Sequence, residues 1–219
     1  MTIGSAPAIG DLLADDTSER LAEGAMVLRG FARSDVAALV AAVSHIAAVS
    51  PFRHMVTPGG FRMSVAMTSC GEAGWITDRR GYRYSREDPA TGRPWPPMPP
   101  MFLSLAARAA AEAGFDGFDP DACLINRYAP ETKLSLHRDE DERDLAAPVV
   151  SVSLGLPAIF LWGGLARSER TRRIRLDSGD VVVWGGPARL VYHGVAPLAD
   201  GEHPLTRRCR INLTFRRAL

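Results

Sequence analysis

Lysine is nearly missing from this chain: of its 26 basic residues 25 are Arg, and Lys133 is the exception. Codon bias is the plain reading, although guanidinium forks suit carboxylates and phosphates. Cysteine is scarce as well. Cys70, Cys123 and Cys209 are odd in number and far apart, which excludes a disulfide scaffold or a cysteine zinc site and fits a reducing compartment. An excess of one charge is also absent. The formal net charge is +1, so a global pull toward nucleic acid or membrane is excluded and any basic surface must be local. There is no apolar run of about 18 residues to span a bilayer. The N-terminus carries Asp11, Asp15 and Asp16 and no basic stretch, unlike a signal peptide. What remains is a 219-residue chain with 46% hydrophobic and 23% charged residues, the balance of a folded, cytoplasmic enzyme or binding protein.

Residues 1–23, small and acidic, read as a loose leader, and 24–219 as a single domain. Ser34 is the expected cap of a helix whose apolar positions Val36, Leu39, Val40, Val43 and Ile46 follow helical spacing up to Pro51. From Phe52 to Tyr84, Pro58-Gly59-Gly60 and Arg80-Gly81 punctuate short aromatic runs, which predicts hairpins. A proline-rich connector over 89–100 then leads into a helix from about Met101 to Ala113, closed by Gly114. Beyond Phe118 the pattern is strand: Ala122–Tyr128, Val149–Leu154, Ala158–Trp162, Arg173–Leu176, Val181–Trp184, Leu190–His193 and Arg210–Phe215. Helices first, then a β-rich double sheet, give an α+β fold of the sandwich or jelly-roll kind.

His137 has Asp139 two residues on, and the alternating lead-in Lys133-Leu134-Ser135-Leu136 would point both to one face of a strand. His193 sits on another predicted strand. Two His and one carboxylate on neighbouring strands make a facial triad for Fe(II), with zinc a second choice; a solvated His-Asp pair plus an unrelated core His is the bland alternative. The last strand alternates strictly, with Ile211, Leu213 and Phe215 on one side and Arg210, Asn212, Thr214 and Arg216 on the other. The polar side either meets water or lines a pocket, where Arg210 would hold a dicarboxylate. Arg210 and Arg216 lie roughly 20 Å apart along a strand, so they serve different ends of a site.

The segments Asn126-Arg127-Tyr128-Ala129-Pro130, Ser135-Leu136-His137-Arg138-Asp139, Ser151-Val152-Ser153-Leu154-Gly155, Gly179–Trp184, Tyr192-His193-Gly194 and Arg210–Arg216 resemble the AlkB family of 2-oxoglutarate- and Fe(II)-dependent dioxygenases. The likeness runs from about Ala25 to Arg216. Arg138 stands where a neutral Gln is expected, Leu161-Trp162 where Gln-Phe is expected, and Ile211 where an aromatic is expected; none is a ligand position. The resemblance implies a double-stranded β-helix (jelly-roll) core with N-terminal helices and a hairpin nucleotide-recognition lid at about 52–100. It implies iron on His137, Asp139 and His193, and 2-oxoglutarate on Asn126, Tyr128, Arg210, Asn212 and Arg216. Trp75, Tyr82 and Tyr84 would contact the substrate, with Asp141 near the base and Arg167 near the strand. Each aromatic has an alternative place in the lid core, Asp141 as a surface acid, and Arg167 as a solvated cation. The implied activity uses O2 to demethylate ring nitrogens of adenine or cytosine in DNA, preferably single-stranded, by a monomeric enzyme releasing formaldehyde, succinate and CO2. RNA or protein substrates, or an idle nucleic-acid-binding module, are the competing readings.

Overall fold

The computed structural model describes residues 18–219; the leader expected over 1–23 therefore lies mostly outside the described residues. Its last part is not loose. Glu19–Ala22 (β1) pairs with Ala25–Leu28 (β2) at the edge of the main sheet. The first helix, α1 (Val36–Val49), starts after a single 3-10 turn at Arg33–Asp35, and no side chain caps it, so Ser34 does not play the expected role. It buries Val36, Leu39, Val43 and Ile46 and stops at Ser50, next to Pro51.

Three antiparallel pieces follow: Ala66–Gly71 (β3), then the hairpin Gly74–Asp78 (β4) and Gly81–Ser85 (β5), then the short ribbon Glu87–Asp88 (β6) and Arg93–Pro94 (β7). The hairpin turns on Arg79-Arg80, with Gly81 at a φ of 117° that a Cβ would strain. β3 lies inside the span expected for the lid, yet it belongs to the main sheet. The second helix, α2 (Pro100–Glu112), has Pro at its first position, where the missing N–H costs nothing.

The remaining strands are Ala122–Tyr128 (β8), Leu134–His137 (β9), Val149–Gly155 (β10), Ala158–Trp162 (β11), Arg172–Leu176 (β12), Val181–Trp184 (β13), His193–Val195 (β14) and Arg210–Arg216 (β15). The strand expected over Leu190–His193 begins only at His193. A 3-10 turn at Gly186–Ala188 occupies the approach, Val191 N bonds back to the Ala188 carbonyl, and Tyr192 N bonds the Gly164 carbonyl in the loop after β11. Seven strands in the order β1-β2-β13-β10-β15-β8-β3 face four in the order β12-β11-β14-β9, a two-sheet jelly roll.

Period-two alternation decides which side of the large sheet meets what. Ile125, Val150, Val152, Leu154, Val181, Val183, Leu213 and Phe215 pack under α1 and α2, with Phe102 of α2 edge-on to Phe215 at 5.8 Å. Each such side chain withdrawn from water contributes about 1.5–3 kcal/mol. The opposite side faces the small sheet. At one end it meets Phe160, Trp162, Ile174 and Leu176. In the middle it carries polar residues instead, and that is where the cavity opens.

Candidate active site

The antiparallel register of β14 on β9 sets His193 directly opposite His137, which places their rings 4.5 Å apart. Gly194 lets the strands approach: a Cβ there would sit 2.7 Å from the carbonyl oxygen of Leu134. Asp139 is not on the strand but just beyond its end. It still converges, with His137 Nε2 3.8 Å from Oδ1 and His193 Nε2 3.8 Å from Oδ2. The candidate ligand atoms of the three residues lie within 4.8 Å of one another. Each imidazole can donate Nδ1–H to a carbonyl, His137 to Ser135 at 2.9 Å and His193 to Val191 at 3.0 Å. That tautomer leaves both Nε2 lone pairs for a metal.

Electrostatics hold this cluster in its ligating state. Burial opposes ionisation of the Asp139 carboxyl, but Arg216 first, then His193, His137 and Arg189, outweigh it and keep the group well below the usual carboxylate range. Burial, helped by His137 and only partly offset by Asp139, drops His193 to about 4, so it stays neutral near pH 7. Arg216 reaches both oxygens of Asp139 at 2.9–3.1 Å and lies 3.3 Å from Glu142. Its guanidinium is thus tied to the His-Asp-His end of the cavity rather than standing free.

Arg210 occupies the other end of the polar face of β15. Nη2 donates to Ser153 Oγ at 3.0 Å and the guanidinium lies 5.0 Å from the Tyr128 ring centroid, while Nε and Nη1 are buried without a partner. A buried cation with two idle donors carries a desolvation cost that an incoming carboxylate would relieve. Asn126 and Asn212 are cross-strand neighbours beside it; Asn212 Nδ2 bonds Ser151 and the Val152 carbonyl, and Asn126 Oδ1 is a third buried atom without a partner. The donor set fits a dicarboxylate next to a metal. His137, Asp139, His193, Asn126, Tyr128, Arg210, Asn212 and Arg216 line one cavity of about 580 Å³.

The hairpin forms one wall. Trp75 and Tyr82 stack with centroids 5.6 Å apart and planes 16° off parallel, and both line the cavity. Trp75 Nε1 donates to Asp141 Oδ2 at 2.7 Å, which ties the expected base acceptor to the expected stacking ring. Tyr84 departs from expectation. Opposite Trp75 on the hairpin, it does not line the cavity, and its hydroxyl donates to Glu142 at 2.6 Å. Arg167 is at the rim, exposed, 6.0 Å from the Tyr192 ring.

Several participants escape sequence reasoning. Glu142, hidden in the run Asp139-Glu140-Asp141-Glu142, is buried and binds Tyr84, Arg189 and Arg216. Arg189 also donates to the Asp139 carbonyl at 2.7 Å. No local pattern marks either residue. Ser151 and Ser153 do carry a signal, two hydroxyls at alternate positions of an otherwise Val/Leu strand, opposite Thr214 and Asn212.

A two-sheet jelly roll with a His-Asp-His cluster and a buried Arg at the far end defines a 2-oxoglutarate- and Fe(II)-dependent dioxygenase. The model of the 2OG-Fe(II) oxygenase superfamily matches residues 24–216. The chain belongs to the AlkB family within that superfamily. It is 60% identical over 210 residues to the alpha-ketoglutarate-dependent dioxygenase AlkB of Escherichia coli K12, covering 95% of this chain and 97% of that one. It is 36% identical over 132 residues to the nucleic acid dioxygenase ALKBH1 of Mus musculus, covering 58% of this chain and 33% of that one. The solved structure of OsALKBH1 superposes with a TM-score of 0.81 at 28% identity, over 92% of this chain and all (100%) of that one. No helix among the described residues is long and apolar enough to cross a membrane.

Proposed function

We propose that this dioxygenase removes methyl groups from ring nitrogens of bases in DNA, such as 1-methyladenine and 3-methylcytosine, with single strands preferred and formaldehyde, succinate and CO2 released. The observation that carries the reading is the stacked Trp75–Tyr82 wall on the same cavity as the His137, Asp139 and His193 cluster. An aromatic platform accepts the flat face of any base at about 1–3 kcal/mol, and a base must leave its helix to reach it. A methyl on the pairing edge weakens pairing and lowers that cost.

His137, Asp139 and His193 would hold Fe(II), and Arg210, with Asn126, Tyr128 and Asn212, would hold 2-oxoglutarate. Together with O2, iron and 2-oxoglutarate supply the oxidising power to hydroxylate a C–H bond. Arg210, buried at the inner end of the cavity, would neutralise the far carboxylate. Arg216 acts through Asp139, fixing its orientation and charge. Asp141 gives one oxygen to Trp75 and keeps Oδ1 to accept from an exocyclic amine of the base.

Purified protein supplied with Fe(II), 2-oxoglutarate and air should strip the methyl group from a single-stranded oligonucleotide carrying 1-methyladenine or 3-methylcytosine, read by mass, with succinate formed in step. Succinate formation with an intact methyl group on every DNA strand would refute the reading. A methylated RNA strand of matched sequence tests the competing substrate class, and faster turnover there would move the assignment to RNA.

A further inference from the structure

Asp139 is the member of the His-Asp-His cluster that no strand carries, since β9 ends at His137. Side chains hold the segment beyond that end. Arg189 donates to the carbonyls of Asp139 and Ala147 at 2.7 and 3.0 Å, and to Glu142 Oε2 at 3.0 Å. From the hairpin, Trp75 reaches Asp141 at 2.7 Å and Tyr84 reaches Glu142 Oε1 at 2.6 Å. Trp75 and Tyr84 are cross-strand partners, so one rung of the hairpin meets two successive acids. Glu142 Oε1 also lies 3.3 Å from Nε of Arg216, the guanidinium that grasps both oxygens of Asp139. Asp139, Glu142, Arg189 and Arg216 are all buried, two anions against two cations. Charges withdrawn from water are tolerable only in such a balance.

We propose that Glu142 is a positioning residue for the metal cluster: it holds Arg216 and Arg189, they hold Asp139, and Tyr84 ties the arrangement to the hairpin that carries Trp75. The inference rests on the reading of His137, Asp139 and His193 as Fe(II) ligands and is independent of which base is demethylated. Glu142 and Tyr84 do not line the cavity, so neither touches the substrate there. Glu142 acts through charge and orientation. Without its negative charge, two buried guanidiniums would share Asp139 alone. Arg216 would draw harder on the oxygens that the metal needs, and the four side chains would carry a net positive charge toward a divalent cation. Partners of a ligand tune the metal in this way because they set the ligand's orientation and basicity.

The test is anaerobic titration of the metal-free whole chain with Fe(II), with 2-oxoglutarate present, and circular dichroism to establish that each variant is folded at the titration temperature. Glu142→Gln keeps the shape of the side chain and removes its charge; it should weaken Fe(II) binding about 10- to 100-fold. Tyr84→Phe should weaken it in the same direction by less. The double variant should bind no more weakly than Glu142→Gln alone, because Tyr84 acts through Glu142. Asp144→Asn removes a more exposed carboxylate two residues further on, one that lies 3.7 Å from Arg217, and should leave Fe(II) affinity at the wild-type value. A folded Glu142→Gln protein with wild-type Fe(II) affinity would give Glu142 a purely structural role and overturn the proposal. Equal weakening by Asp144→Asn would overturn it too, by making the effect one of overall charge. Additive losses in the double variant would break the path from Tyr84. Should Glu142→Gln fail to fold, Tyr84→Phe decides, and an unchanged Fe(II) affinity there overturns the proposal. A wild type that takes up no Fe(II) would instead refute the ligand reading itself.

Discussion

The 2-oxoglutarate end of the cavity and its hairpin wall hold their functional side chains in different ways. Arg210, Asn212 and Arg216 project from β15, which has a strand on each side, and Asn126 from β8, likewise flanked; all four are buried. Arg210 and Asn212 reach the serines of β10, and Arg216 reaches Asp139 and Glu142. Trp75 and Tyr82 project instead from a two-stranded ribbon, and Tyr82 is 48% exposed. Breaking a buried ion pair costs about 3–5 kcal/mol, whereas an exposed one is worth about 0–1 kcal/mol. Substitutions at the buried end should therefore act as switches and those at the hairpin as graded adjustments.

The largest effect belongs to Asp139→Ala. It removes a proposed metal ligand and leaves the buried Arg216 only Glu142 to pair with, so turnover should vanish, Fe(II) binding should fail in titration, and the protein should lose about 3 kcal/mol of stability in denaturant melts. Full activity in this variant would break the contrast at its strongest point. Arg210→Met comes next. It should weaken 2-oxoglutarate binding by about 2–5 kcal/mol, as truncation of one partner of a buried charge pair does. Because Nε and Nη1 of Arg210 have no partner, the apo protein should be no less stable than wild type, a result that a purely structural Arg would not give.

His193 sharpens the same comparison through pH. Its folded value of about 4 lies below the unfolded 6.5, so the unfolded chain binds the proton first. Stability linked to this group is fully present above 6.5 and is lost as pH falls toward 4, on the order of 3 kcal/mol. Melting of the metal-free protein over that window should show the decline, and His193→Asn should flatten it. At the hairpin, Trp75→Ala should reduce affinity for a methylated strand by about 1–3 kcal/mol while leaving 2-oxoglutarate affinity intact. An unchanged preference for the methylated over the plain strand would make Trp75 part of the lid core. The smallest effect is Tyr84→Phe. Loss of its hydrogen bond to Glu142 should cost about 1–2 kcal/mol in thermal melts, with cosubstrate affinity unaltered.

Strict alternation is enough to make β15 legible in the sequence. Ile211, Leu213 and Phe215 do face the helices, and Arg210, Asn212, Thr214 and Arg216 do line the cavity. The polar side meets a pocket rather than water because the small sheet closes over it, and nothing in the heptapeptide encodes that closure. The proline connector and the start of α2 are equally plain, since proline restricts its own φ and its neighbour's. The departures share a cause, which is tertiary contact overriding local pattern. Ser34 has the chemistry of a cap but falls within a 3-10 turn, and Leu190–His193 has the composition of a strand but is mostly loop. Tyr84 has the character of a substrate contact but reaches Glu142.

Local pattern, then, is sufficient for most strands after Phe118 and for the two helices, because side-chain period and turn chemistry act over a few residues, whereas for His137, Asp139 and His193 it leaves a metal triad and an unrelated set of side chains both open. Partnership at a distance is not readable in that way. Asp141 and Glu142 are adjacent acids in one run, yet one meets Trp75 at the cavity wall and the other is buried among Tyr84, Arg189 and Arg216. Their difference arises from which side of the folded segment faces the interior. There desolvation makes an unpaired charge intolerable, and only the assembled sheets bring the compensating guanidiniums within reach.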